Sequence, residues 1–185
     1  MRAAPLLAPA AAMLALAACG TGESRNMTID EVAAELRNVR VEPGLWEVSS
    51  EVLDATGPNL PRRAQAEIRR HRPSVRNCIT PEQAAHPERN FLRTQRDGHC
   101  TYRGFSMRDG RMRGEMRCAG GGMPGNVTTS MDGLYGPRSH DVRMRMTSTG
   151  MPEGANMIIE TRTIGRRIGA CPPAGPPPPT KGEPT

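Results

Sequence analysis

From residue 45 to residue 164, apolar and polar positions alternate over long stretches with a period of two, the pattern of strands with one dry face and one wet face. The clearest case is 100–118. Met112, Gly114, Met116 and Cys118 alternate there with Arg111, Arg113, Glu115 and Arg117. Asp109-Gly110 precedes this run and is a tight hairpin turn, because both central residues of a type I′ turn need positive φ. On the other arm, Cys100 and Tyr102 share one phase, while Phe105 and Met107 are a residue out of step. A slip of one residue turns every later side chain to the other face. A bulge at Arg103-Gly104, opposite Glu115, repairs the phase: Met107 then faces Met112, Phe105 faces Gly114, Tyr102 faces Met116 and Cys100 faces Cys118. This register predicts a cross-strand Cys100–Cys118 disulfide.

The other predicted strands follow the same alternation. Residues 45–52 place Trp46, Val48 and Val52 on one face and Glu47, Ser49 and Glu51 on the other, and 75–79 adds a strand that carries Cys78. Residues 127–135 and 140–148 form a hairpin over Gly136-Pro137, pairing Met131 with Val142, Thr129 with Met144 and Val127 with Met146. A turn at 150–153 brings Met157 opposite Met146 and Ile159 opposite Met144, in a last strand ending near Ile164. The glycine-rich 119–125 reads as a turn.

Helical signals are short. Thr28 and Glu31 form a capping box ahead of Ile29, Val32, Ala33 and Leu36, with Met27 placed to staple onto Val32, and Pro43-Gly44 stops the run. Thr80-Pro81-Glu82-Gln83 is a second capping box, opening a helix through Ala85. Ala64, Ala66 and Ile68 make a weaker pattern inside the arginine-rich 58–73, which reads as a solvated helix or loop, or as a basic binding element. The expected fold is mainly β: an antiparallel meander forming a strongly curved sheet or incomplete barrel with one to three short helices. A two-layer sandwich is the alternative.

Composition sharpens the picture of the core. Aromatic residues are only 3% of the chain, against 12 Met, so the dry face must be built from Met, Val, Leu and Ile, with Met as the adaptable filler. The net charge is +6, and Lys181 is the sole lysine, so the positive charge is almost all arginine.

The start of the chain carries an address. Arg2, an alanine-rich apolar run from Leu6 to Leu16, and Leu16-Ala17-Ala18-Cys19 together read as a bacterial lipoprotein signal over 1–18 with Cys19 as the lipidated residue. Ordinary secretory cleavage nearby is the alternative, and either route leads out of the cytoplasm. Gly20 rather than Asp after Cys19 favours the outer membrane, with the protein facing the periplasm. Residues 19–27 then form a tether, 28–172 a single β domain and 173–185 a disordered proline-rich tail. In that setting the basic charge meets envelope components, not nucleic acid. Besides Cys19, the cysteines are Cys78, Cys100, Cys118 and Cys171; with Cys100 joined to Cys118, Cys78 is left to Cys171. No pair has the C-x₂₋₄-C spacing of a zinc site.

No catalytic constellation emerges. Ser139-His140-Asp141 has the residue types of a triad, but strand neighbours point to opposite faces. His71, His86, His99 and His140 have no metal spacing, no G-x-S-x-G occurs, and 119–125 lacks the Gly-Lys-Ser/Thr of a phosphate loop. The expectation is a noncatalytic protein without cofactor or metal. Its candidate ligand surface is the apolar face of Trp46, Phe105, Met107, Met112, Met116, Met131, Met144, Met146 and Met157, suited to a lipid or other apolar ligand. A structural lipoprotein with an envelope protein partner is the alternative, and Cu(I) binding by thioethers a further one.

Pro43-Gly44-Leu45-Trp46-Glu47-Val48, Cys78-Ile79-Thr80-Pro81-Glu82-Gln83-Ala84, Cys100-Thr101-Tyr102, Phe105-Ser106-Met107, Cys118 and Arg166-Arg167-Ile168-Gly169-Ala170-Cys171 stand in this order along the chain. Over about residues 43–172 the chain thereby resembles the domain of unknown function 3617 family of proteobacterial envelope proteins. The resemblance implies an exported, mainly antiparallel β domain with its four cysteines paired, and it supplies no activity, since the family has no assigned catalytic residues to carry over. It also implies a Met- and Ala-rich stretch where this chain has the arginine-rich 60–76.

Overall fold

The computed structural model describes residues 26–92, 100–120 and 123–173. The expected leader over 1–18, the lipidated Cys19, tether residues 19–25 and the tail from 174 lie outside the described residues. In chain order the elements are β1 (Asn26–Met27), α1 (Ile29–Arg37), β2 (Gly44–Thr56), α2 (Arg62–Arg70), β3 (Ser74–Ile79), α3 (Pro81–Ala85), α4 (Pro87–Leu92), β4 (Cys100–Arg108), β5 (Arg111–Gly120), β6 (Met123–Gly136), β7 (Ser139–Thr149) and β8 (Ile158–Gly169), with a 3-10 turn at Pro152–Gly154. The last two residues of the expected tether are thus a short strand.

All eight strands belong to one antiparallel sheet in the order β1-β4-β5-β6-β7-β8-β2-β3. Strands β4 to β8 form the expected meander, and β1 and β3 are its open edges. The single sheet replaces the two-layer sandwich considered as the alternative. Among the described residues four short α-helices occur rather than one to three. The addition is α4, which opens with Pro87 and Glu88, a helix-start signal passed over in the sequence.

The β4–β5 hairpin has the predicted register. Asp109 (φ 51°) and Gly110 (φ 70°) make the turn, Cys100 faces Cys118, Tyr102 faces Met116 and Met107 faces Met112. The bulge lies between Arg103 and Ser106, with Gly104 at φ 57°. Phe105 closes over Gly114, where a Cβ would stand 2.9 Å from the Phe105 Cα, so only glycine admits the ring.

Two other registers differ from expectation by two residues. Met131 pairs with Met144, Thr129 with Met146 and Gly133 with Val142, because the β6–β7 turn centres on Pro137-Arg138 with Gly136 opposite Ser139. Proline suits the first central position of a turn and is disfavoured at the second, where the expected register would put it. Likewise Ile159 pairs with Met146 and Thr161 with Met144, while Met157 sits beside the buried Ser148, to whose Oγ its N–H donates at 2.8 Å. Shifts of two residues preserve the faces, so the dry side survives both.

Strand β8 runs five residues beyond the expected Ile164, to Gly169. A bulge between Leu45 and Trp46 keeps it paired with β2 while Gly165 and Arg166-Arg167 interrupt its apolar alternation. That extension delivers Cys171 to Cys78, which lies across β2 opposite Leu45. Both disulfides form, Cys78–Cys171 and Cys100–Cys118, with Cα atoms 5.5 Å and 4.1 Å apart.

The helices cover one end of the dry face and guard its margins. Both capping boxes form: Thr28 N–H donates to Glu31 at 2.8 Å, and Thr80 N–H to Gln83 Oε1 at 2.9 Å. Val32 and Leu36 of α1 and Leu92 of α4 bury against Tyr102, Phe105, Met112, Met131 and Val142. Phe91 packs on Phe105 with ring centroids 5.8 Å apart. Strand β1 pairs only with Tyr102 and Arg103, so the rest of β4's outer edge needs another partner. Glu35 of α1 supplies it, accepting the Met107 N–H at 3.4 Å and pairing with Arg108 at 2.9 Å. At the other margin β3 pairs with Gly44 to Ser49, and α2 packs against β2 with Arg69 3.6 Å from Asp54; none of its residues is buried, as a solvated helix requires.

Chain-entropy reasoning ranks the two bridges. Replacing Cys78 and Cys171 by serine, a separation of 93 residues, is expected to cost about 4–5 kcal/mol, and replacing Cys100 and Cys118, separated by 18, about 3 kcal/mol in urea unfolding; a reversed ranking would count against long-loop closure. The Arg108 guanidinium holds the Glu35 carboxyl below its ordinary value of 4.5, aided by the Met107 N–H and opposed by burial. Its stabilisation is therefore present above that pH and disappears as pH falls through the lowered value. Glu35→Gln is expected to cost about 1 kcal/mol at neutral pH and nothing at the acid end; a pH-independent difference would refute the assigned role.

Candidate functional site

Cross-strand pairing lays the dry face out in rows. One row runs Val52, Thr161, Met144, Met131, Gly114 from β2 to β5; the next runs Ala55, Ile159, Met146, Thr129, Met116. A third runs Ser50, Thr163, Val142, Gly133, Met112, and a fourth Val48, Gly165, His140, Tyr135. The apolar residues singled out in the sequence do share this face, but they fall into two environments. Trp46, Phe105, Met112 and Met131 are buried, and Met107, Met116 and Met144 are half-buried against the core that α1 and α4 cover. Met146 of β7, Met157 just ahead of β8, Ile159 of β8 and Val48 and Val52 of β2 are half-buried. Among the described residues no helix packs extensively on β7 or β8, whereas α2 packs against β2. At the Met157 end a hollow of about 230 Å³ is lined by Thr56, Gly57, Pro58, Ser148, Met157 and Ile158, among others.

The fourth row holds a feature that sequence reasoning missed. His140 lies between two aromatic rings, 5.3 Å from Tyr135 and 6.1 Å from Trp46, with interplanar angles of 9° and 17°. Gly165 makes the space, since any Cβ there would overlap the imidazole. Trp46 is fixed by its indole N–H, which donates to the Glu42 carbonyl at 3.0 Å. His140 Nδ1 is buried without a hydrogen-bond partner. Desolvation pushes the imidazole below its ordinary value, with Asp141 pulling the other way. The available signal was the turn at Pro137: it sets Tyr135 opposite His140 once the register is right.

The neighbours of His140 take no part in this stack. Asp141 faces the other side of the sheet and accepts a bidentate pair from Arg162, at 2.8 and 2.6 Å, which holds its carboxyl below the ordinary range. Ser139, His140 and Asp141 are thus split between faces, as strand alternation requires. Among the described residues no group of three His, Cys, Asp or Glu side chains is placed to hold a metal ion, and no helix is long and apolar enough to cross a membrane.

On the wet face, Arg145 pairs with Glu160, Arg117 with Glu115 at 2.8 Å and Arg76 with Glu47 at 2.9 Å. A hollow of about 450 Å³ at this end of the sheet is bounded by Leu134, Ser139, Asp141, Arg162 and Ile164 and also by Tyr135, His140 and Gly165 of the fourth row. A second, of about 430 Å³, lies among Ser106, Arg108, Asp109, Arg111, Arg113 and Leu134.

A buried neutral imidazole makes stability depend on pH. Because the folded-state value is lowered from 6.5, the unfolded chain binds a proton that the folded chain refuses. Stability is expected to be full above pH 6.5 and to fall as pH drops below it, and His140→Phe should flatten that limb in thermal unfolding from pH 8 to 5. An unchanged limb in the variant would assign the dependence elsewhere.

No curated protein and no solved structure matches the chain. The model of one family does match, over residues 41–171, a span that takes in every strand but β1 and both disulfides. The chain therefore belongs to the family described as protein of unknown function, DUF3617.

Proposed function

We propose that the protein is an exported lipoprotein of the bacterial envelope, anchored through Cys19 and facing the periplasm, whose sheet holds an apolar ligand or lipid without catalysing a reaction. The outer membrane is its assigned place, from the residue that follows Cys19. The observation that carries the ligand reading is the uneven cover of the dry face: α1 and α4 seal the β4 end, whereas Met146, Met157 and Ile159 stay half-buried where no helix among the described residues packs extensively on β7 or β8. Unbranched thioether side chains re-pack around varied shapes at little cost, which suits a surface that takes acyl chains. The ligand surface accordingly narrows from the residues named in the sequence to the β7–β8 strip, because Trp46, Phe105, Met112 and Met131 are buried. The Met157 hollow extends that strip at the sheet's end.

The test is extraction of protein purified from its own membrane, with native mass spectrometry of the intact complex. A co-purifying acyl-chain molecule is expected in the parent and should fall about tenfold in Met146→Ser/Met157→Ser, which remove apolar contact without altering a backbone hydrogen bond. Bare protein at native mass, or equal retention in the variant, would contradict the proposal.

A further inference from the structure

The wet face is rich in arginine and unevenly neutralised. In the cross-strand row Arg113, Asp132, Arg143, Arg162, Glu51, Arg162 is held by Asp141 and Glu51, whereas Arg113 and Arg143 have no ion-pair partner among the described residues. Arg103 and Arg111 are likewise unpaired and exposed. Three of these four arginines, Arg103, Arg111 and Arg113, belong to the β4–β5 hairpin, where they join Arg108 around Ser106 and the hollow of about 430 Å³. Leu134 borders this hollow and is 60% exposed, an apolar side chain set among cations. The acids nearby are Glu35, Asp109, Glu115, Asp132 and Asp141: Glu35 pairs with Arg108 at 2.9 Å, Glu115 is occupied by Arg117, and Asp141 is held by Arg162 while also feeling the charge of Arg143.

The chain's route puts this corner next to its anchor. Strand β1 begins at Asn26, directly opposite Arg103 on β4. If Cys19 carries acyl chains, as proposed above, the tether 19–25 reaches at most about 25 Å when fully extended. The β4–β5 hairpin is then the part of the sheet held nearest the bilayer. Guanidinium groups bind phosphate oxygens through paired N–H donors, and an apolar tip among them suits the boundary between headgroups and acyl chains.

We propose that Arg103, Arg111, Arg113 and Arg143, around Leu134, dock on the anionic phospholipid headgroups of the bilayer that holds the anchor. The placement of this surface against the membrane rests on the lipid-anchor reading; its affinity for anionic lipid does not. Docking would leave the Met strip, on the opposite face of the same sheet, open to the periplasm.

The test uses the chain beginning at Gly20, which keeps every strand and helix, in flotation with vesicles of phosphatidylglycerol and phosphatidylethanolamine or of phosphatidylcholine alone. Binding is expected to the anionic vesicles only and to be lost at about 0.5 M salt. Arg111→Glu/Arg113→Glu should weaken it about tenfold or more, and Arg113→Gln alone about threefold, with unfolding temperatures matching the parent. Arg62→Glu/Arg63→Glu, the same charge change on α2, should leave binding unaltered. No preference for anionic vesicles, or equal losses in the two double variants, would overturn the proposal. Acylation of Cys19 is read separately, from the intact mass of protein from its own membrane, so failure of the anchor and failure of the docking surface give different results.

Discussion

One constraint governs this molecule: every strand must turn its apolar set to the same side of a single sheet. Side chains alternate with period two, so one extra residue anywhere would expose half of a strand's core. The chain meets the constraint with irregularities. The bulge at Arg103 brings Cys100 and Tyr102 into phase with Met107, and shifts at Leu45/Trp46 and Val52/Asp54 do the same for β2 against β8. Close packing depends on these corrections, since Phe105 reaches the core only by lying over Gly114, and His140 fits between its two rings only because Gly165 has no side chain. The disulfides follow from the same registers. Cys100 meets Cys118 because the bulge has reset the phase, and Cys171 meets Cys78 because β8 stays paired with β2 to its end.

A core assembled this way is sealed only in part. Helices α1 and α4 carry few large apolar side chains, and they spend them over β4 and its neighbours. The β7–β8–β2 side is dressed with smaller or more flexible residues: Val48, Ser50, Val52, Thr161, Thr163, Met146 and Ile159. Ser50 and Thr163 hydrogen-bond to each other at 3.2 Å, satisfying polar groups that would otherwise weaken the dry face. The two faces of the sheet therefore present different chemistry, thioether and aliphatic on one and guanidinium on the other. Both proposals made here rest on that division.

Sequence patterning revealed the faces better than the registers. Alternation in 100–118 determined a hairpin, its turn and its bulge, because Asp109-Gly110 and Gly104 each admit one backbone solution. The β6–β7 hairpin was harder, since Gly136-Pro137 suits more than one turn and only the position of the proline decides between them. The end of strand β8 leaves no trace in the alternation because Gly165 has no side chain to mark a phase, and its role as a socket for His140 is visible only when three strands are assembled. The stack of Tyr135, His140 and Trp46 was hidden for the same reason: its members come from three separate strands. The Met residues were placed on the correct face, but no periodicity tells which of them a helix will cover.

A disulfide map of the mature protein, made by proteolysis without reduction and mass spectrometry of the linked peptides, tests the register argument most directly. The account predicts two species, one joining Cys100 to Cys118 and one joining Cys78 to Cys171. Free thiols at these positions, or a crossed pairing such as Cys78 with Cys100, would contradict it, because no phase-restored sheet of this order could bring those sulfurs together.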